Sequence, residues 1–176
     1  MKHILPILTI TTLAAAASAE QSAAAPAGLS YNRVTVSREG QNNTLSASAF
    51  LGSSNVLATI GASRNVYGEA VTTYSLGYVF KNVVAGIDAT VSVGSGDKDN
   101  NSAVSVNLRR ALGEVVSGLE IAVGYSYQQG AGAAANVDSF SAELSYNINK
   151  TWSVAYGITD TKSVAQTNTV SVRYNF

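Results

Sequence analysis

The chain has no cysteine, so neither a disulfide nor thiol chemistry contributes to its stability or its mechanism. Histidine is almost as scarce, the one example being His3 in the leading segment. The rest of the chain therefore lacks Ser-His and Cys-His nucleophile pairs, His-Asp water activation and the imidazole and thiolate metal ligands. With carboxylates, lysine, arginine and hydroxyls alone, no enzyme and no cofactor are expected. Charge is sparse too: 12% of residues are charged, where about a quarter is typical. The 11 basic and 11 acidic residues balance, which argues against a nucleic-acid footprint. Long apolar runs are also missing. After Ala19 no stretch approaches the roughly 18 unbroken apolar residues of a spanning helix.

What is present starts with Met1-Lys2-His3, a short basic opening, and an apolar run from Ile4 to Ala17 that closes on Ala17-Ser18-Ala19. That pattern predicts a secretory signal over residues 1–19, cut before Glu20. A retained anchor fits less well, because the run is short and is interrupted by Pro6 and by threonines. Residues 20–27 (EQSAAAPA) then read as a small-residue linker, and 28–176 as a single exported domain.

Beyond the linker, apolar residues recur at every second position, and helical spacing is absent. Trp152, Val154, Tyr156 and Ile158 alternate with Ser153, Ala155, Gly157 and Thr159. Phe140, Ala142, Leu144, Tyr146 and Ile148 alternate with Ser141, Glu143, Ser145, Asn147 and Asn149. Similar runs occupy 119–128, 104–109, 83–94 and 73–80, weaker ones lie near 29–38, 43–51 and 55–64, and the chain ends on TVSVRYNF. The pattern predicts about ten strands, with eight as the alternative count. Two residues misfit. Tyr31 lies on the opposite parity from Val34 and Val36, which predicts a bulge near Asn32 and Arg33, and Phe50 falls on the polar parity, which alternation does not explain.

The connections differ in length. GSS (52–54), KN (81–82) and NK (149–150) read as tight turns, whereas SGDKDNN (95–101), QGAGAAAN (129–136) and TKSVAQT (161–167) read as longer loops. The segment 111–117 belongs with the turns but is not short. Alternation leaves open whether the apolar face meets lipid in a closed barrel or a second sheet in a soluble sandwich. The aromatic residues favour the barrel. Tyr31, Tyr78, Phe80, Tyr146, Trp152, Tyr174 and Phe176 fall near the turn end, and Tyr74, Tyr125, Tyr127 and Phe140 toward the loop end, giving two girdles like those at membrane interfaces. Runs of 9 to 11 residues, tilted about 40°, cover roughly 25 Å. In hydrocarbon each unpaired backbone group costs several kcal/mol, so such a sheet must close through its first and last strands. No charged residue falls at mid-strand on the apolar parity, and Arg110, which shares that parity, sits at a strand end where it can snorkel.

Together these residues resemble the small outer-membrane β-barrel proteins of Gram-negative-type bacteria, the broad porin-like class. The resemblance covers essentially all of residues 28–176 and implies an all-β, closed, antiparallel up-and-down transmembrane barrel with its termini and the 20–27 linker in the periplasm. It implies outer-membrane lipid as the surroundings. It also implies that Val170, Val172, Tyr174 and Phe176 form the signal read by the barrel assembly machinery; the alternative is that Phe176 only completes the girdle. The girdle itself is assigned to Tyr78, Phe80, Tyr125, Tyr127, Tyr146 and Trp152.

Asp97 and Asp99 lack full calcium-loop spacing and read as a solvated loop tip, so no metal site is expected. Lys81, Lys150, Arg38 and Arg64 read as solvated strand ends. Asp88, Arg109, Glu120, Glu143 and Arg173 all take the inward parity, where charge is tolerable only if paired or wet. They are assigned to an internal polar network, with Arg109 and Glu120 as a cross-strand pair and Arg33 as a further candidate. The remaining inward residues, including Gly61, Gly77, Gly86, Gly94, Gly124 and Gly157, are small and leave space. A porin-like role follows, either narrow passive diffusion of small polar solutes or a structural part of the membrane. The alternatives are a surface-interaction barrel without a pore and a soluble β-sandwich.

Overall fold

The computed structural model describes residues 29–40, 42–64, 70–97, 102–129, 136–162 and 164–176. The expected signal (1–19) and linker (20–27) lie outside the described residues. Ten strands form where the sequence alternates: β1 (Arg33–Glu39), β2 (Asn42–Phe50), β3 (Val56–Arg64), β4 (Ala70–Val84), β5 (Ile87–Gly96), β6 (Ser102–Ala111), β7 (Leu119–Gln128), β8 (Val137–Asn147), β9 (Trp152–Thr161) and β10 (Thr167–Asn175). Each pairs antiparallel with its neighbours in the chain, and β1 pairs with β10, so the sheet is one closed barrel. The closing seam runs from Arg33 opposite Asn175 to Glu39 opposite Thr169. No edge strand is left to hydrogen-bond elsewhere. A single closed sheet also rules out the sandwich, which needs two sheets packed face to face.

The side chains are arranged inside out relative to a soluble domain. Leu76, Val93, Leu144, Tyr156 and Val170 are exposed on the outer face, whereas Ser48, Thr90, Ser145, Ser153 and Ser171 are buried on the inner one. Among the described residues the buried apolar side chains are alanines, Val79 and Tyr31. Burial of a Leu or Phe side chain contributes about 1.5–3 kcal/mol, and this sheet encloses almost none of that gain. The large apolar side chains that could supply that gain lie on the outer face.

Interior crowding explains the small lining. A Cβ on Gly124 would stand 2.7 Å from Ser141 Oγ and 3.1 Å from Asn107 Nδ2. A ring of ten strands is only slightly wider than the eight-stranded kind that side chains fill.

Three details differ from the sequence reading. The β4–β5 reversal lies at Ala85–Gly86, not at 81–82: β4 runs on to Val84, and the register shifts between Phe80 and Val84. Asn82 takes a left-handed φ of 52° there, which asparagine tolerates. Its N–H donates to Asp88 Oδ1 at 2.8 Å, and its own Oδ1 accepts the Gly86 N–H at 2.9 Å. No bulge interrupts β1, whose register against β2 and β10 is continuous from Arg33. Tyr31 has its odd parity because it points inward, as Arg33 does. Finally, connection length does not sort cleanly by end, since β1 stops at Glu39 and β2 starts at Asn42, a link at the loop end as short as the turns opposite. The 112–118 segment is long, and it is held by Val115 and Val116 N–H groups donating to Leu112 O at 2.9 and 3.0 Å. Beside it Arg110 pairs with Glu114 at 2.6 Å, both exposed.

Candidate functional site

The interior divides into two zones. In the loop half, a cavity of about 380 Å³ is lined by residues that include Thr59, Thr73, Ser75, Ser92, Ser126 and Gln128. These are inward positions of β3, β4, β5 and β7, and alternation supplies hydroxyls and an amide where the opposite parity supplies oily groups. Ser92 Oγ and Ser105 Oγ lie 2.6 Å apart on the wall. Such a lining exchanges hydrogen bonds with water or polar solutes without binding them tightly.

In the turn half, charged side chains converge. Arg109 sits near the end of β6 and Glu120 at the start of β7; Arg109 Nη2 donates to Glu120 Oε2 at 2.8 Å, with both side chains under a tenth exposed. A buried pair needs its remaining lone pairs and protons satisfied. Here Asn147 Nδ2 donates to Glu120 Oε1 at 2.7 Å, and Arg109 Nη1 donates to Ser30 O at 3.0 Å. Arg173 donates through Nη2 to Glu143 Oε2 in a second pair. Asp88 accepts the Tyr31 hydroxyl at 2.9 Å and the Asn82 N–H at 2.8 Å. Arg109, Asp88, Glu120, Glu143 and Arg173 are thus all inside this half of the barrel. Arg33 joins them, facing inward between Asn175 and Ser48.

Two aromatic residues complete the zone, and sequence reasoning did not place them there. Tyr31 is not part of the outer girdle: it is 6% exposed, its ring lies under the Arg109 guanidinium at 4.8 Å, and its carbonyl accepts Ser48 Oγ at 2.8 Å. Phe50, unexplained by alternation, packs on Tyr31 with ring centres 5.2 Å apart. Lys81 lies over the other aromatic partner, its Nζ 5.1 Å from the Phe50 ring centre. Asn32 Oδ1 accepts the Phe50 N–H at 2.9 Å, which ties the segment before β1 to the end of β2. The signal for this cluster was available: two aromatic residues, both on the polar parity, both at the turn end.

On the outer face the Tyr78 and Phe80 rings meet at a tilt of 58°, their centres 4.8 Å apart, toward the turn end, where Tyr146 and Trp152 are also exposed. Trp152 meets Tyr174 edge-on at 5.3 Å, and Tyr174 stacks on Phe176 at 6.4 Å. Val170, Val172 and Tyr174 point outward, and the Phe176 N–H donates to Asn32 O at 3.1 Å. Toward the loop end Tyr125 and Tyr127 are exposed, as is Tyr156, and the Tyr125 and Tyr156 hydroxyls donate to Asp138 at 2.6 Å and Asn168 at 3.0 Å. Asp97 accepts the Thr72 N–H at 2.9 Å, a strand-end contact, while Asp99 lies outside the described residues.

No family model and no curated protein matches the chain. Solved structures match its fold. The KdgM porin superposes with a TM-score of 0.51 at 19% identity, covering 82% of this chain and 99% of that one. The same porin in complex with disordered oligogalacturonate gives 0.50 at 18%, covering 84% and 99%. The outer membrane protein Omp33 of Acinetobacter baumannii gives 0.49 at 9%, covering 85% and 100%. In fold, the chain is a small closed antiparallel barrel similar to the KdgM porin.

Proposed function

We propose that the protein resides in the bacterial outer membrane and lets small polar solutes diffuse passively through its interior. The observation that carries this reading is the division of one closed sheet into an oily exterior and a hydroxyl-lined cavity of about 380 Å³. The exterior suits lipid, with tyrosine and tryptophan at its margins. The interior has the chemistry to replace a solute's hydration without holding the solute. In this reading the final strand, with Val170, Val172, Tyr174 and Phe176, is what the assembly machinery reads, and outer-membrane lipid is the lasting partner. No step calls for a cofactor, and no catalytic group is assigned.

A structural barrel without flux is the second reading, supported by the Tyr31, Arg109 and Glu120 cluster that crosses the turn half. Planar-bilayer recording of the refolded protein separates the two. Discrete conductance steps support the pore, and silence at all voltages supports the structural role. Deletion of Phe176 tests the assembly reading separately: slower insertion in the presence of the assembly machinery supports it, and an unchanged rate overturns it.

A further inference from the structure

Three consecutive residues ahead of β1 are bonded to different walls of the barrel. Asn32 O accepts the Phe176 N–H at 3.1 Å, just past β10, and Asn32 Oδ1 accepts the Phe50 N–H of β2 at 2.9 Å. Tyr31 O accepts Ser48 Oγ of β2 at 2.8 Å, while the Tyr31 hydroxyl donates to Asp88 of β5 at 2.9 Å. Ser30 O accepts Arg109 Nη1 of β6 at 3.0 Å. In the ring of ten strands β6 stands five places from β1 in either direction, so these contacts join one side of the lumen to the side facing it. Ser30, Tyr31 and Arg109 therefore make a bar across the turn half.

The two flanks of the bar differ. Toward β2–β4, Phe50 packs on the Tyr31 ring, Val79 is fully buried and Lys81 lies over Phe50, so that flank is filled. Toward β8–β10 the inward residues are the small hydroxyls Ser145, Ser153 and Ser171, together with Arg173 and Glu143. The cavity of about 380 Å³ stays on the loop side, and none of Ser30, Tyr31 and Arg109 lines it. A ring of ten strands has little width to spare, so a bar across it decides what passes.

We infer that this bar sets the size limit of the pore, and that the loop-side cavity is a vestibule wider than the passage it leads to. The inference rests on the pore reading and makes Tyr31 the residue that determines solute size. A solute entering from the loop end reaches the hydroxyl-lined space first, whereas one entering from the turn end meets the bar first. Sieving therefore differs between the two directions. Tyr31 suits the role because it is fixed at both ends, its carbonyl to β2 and its hydroxyl to β5, with the Arg109 guanidinium 4.8 Å from its ring centre.

The test is polymer exclusion on single molecules in planar bilayers, with polyethylene glycols of graded size added to one side at a time. A polymer that enters the lumen lowers its conductance. In the wild-type protein the largest polymer that enters from the loop side should exceed the largest that enters from the turn side. Tyr31→Ala should raise the turn-side limit to the loop-side value. Tyr31→Leu keeps an apolar contact for Phe50 but brings neither ring nor hydroxyl to Arg109 and Asp88. It should raise the turn-side limit as well, and it carries the test if Tyr31→Ala does not fold. A purely structural Tyr31 would lower the urea midpoint in both variants and leave both limits where they are, which overturns the inference. Equal limits in the wild-type protein also overturn it, with the pore reading intact. Silence of the wild-type protein overturns the pore reading and this inference with it.

Discussion

The Arg109 guanidinium lies 4.8 Å from the centre of the Tyr31 ring, while Arg109 Nη1 donates to the carbonyl of Ser30 at 3.0 Å. The residues just ahead of β1 are therefore held inside the barrel by both a backbone and a ring contact to β6. Tyr31→Ala removes the ring, its hydroxyl bond to Asp88 and its packing on Phe50. Truncation of a buried aromatic side chain costs about 3 kcal/mol. The variant should unfold at lower urea concentration, followed through the fluorescence of Trp152, the chain's single tryptophan. In bilayers its unit conductance should exceed that of the wild type, because Tyr31 occupies the narrow half of the lumen. An equal conductance would show that the constriction lies elsewhere.

The two internal ion pairs should respond to single and double substitution in opposite ways. Glu120→Gln leaves Arg109 buried with its charge uncompensated, and breaking a buried pair from one side costs about 3–5 kcal/mol. Arg109→Met combined with Glu120→Leu removes both charges together, and well-packed apolar replacements of a buried pair are near neutral or stabilising. Equilibrium unfolding of Arg109→Met, of Glu120→Leu and of the double closes a cycle. A coupling energy near zero would mean that Asn147 and Ser30, not the ion pair, hold Glu120 and Arg109 in place.

The strands and their facing were legible because a period of two is nearly free of tertiary context: oily positions seek lipid and small ones seek the crowded concave side. Arg109 and Glu120 could be matched from sequence because each closes the same hairpin. Parity puts Tyr31 and Phe50 on the inward side, but alternation sorts residues only by face and does not show that Tyr31, ahead of β1, and Phe50, at the end of β2, meet there. The β4–β5 turn was misplaced for a local reason. Lys81-Asn82 looks like a hairpin tip, but Asp88 captures the Asn82 N–H from the next strand, and the reversal moves on to Ala85–Gly86.

The facing of β6 supports a direct contrast. Val106 is outward at mid-strand and 39% exposed, while Ser105, one residue away, lines the interior cavity. An arginine on the lipid face near the midplane costs about 2–4 kcal/mol, whereas a lumen position is wet. Val106→Arg should therefore reduce the folded fraction in lipid vesicles, read as heat-modifiable mobility on a gel. Ser105→Arg should fold and alter conductance instead. If the two variants exchanged these effects, the facing of β6 would be reversed.

Gly118 closes the one long connection at the turn end, and the lumen network leans on it. Its φ of 84° is a left-handed conformation that side chains resist, and a Cβ there would stand 2.8 Å from the Asn147 carbonyl oxygen. The Asn147 N–H donates to Gly118 O at 2.8 Å, and the Asn147 amide in turn donates to Glu120 at 2.7 Å. Gly118→Ala thus combines backbone strain with a clash against backbone, for about 1–3 kcal/mol, and pushes Asn147 away from Glu120. The expected outcome is a lower urea midpoint together with a changed unit conductance. Gly113→Ala, in the same connection but with open space around its Cβ, should change neither. A matching loss in both variants would mean that the connection matters only through its flexibility, not through the position it gives Asn147.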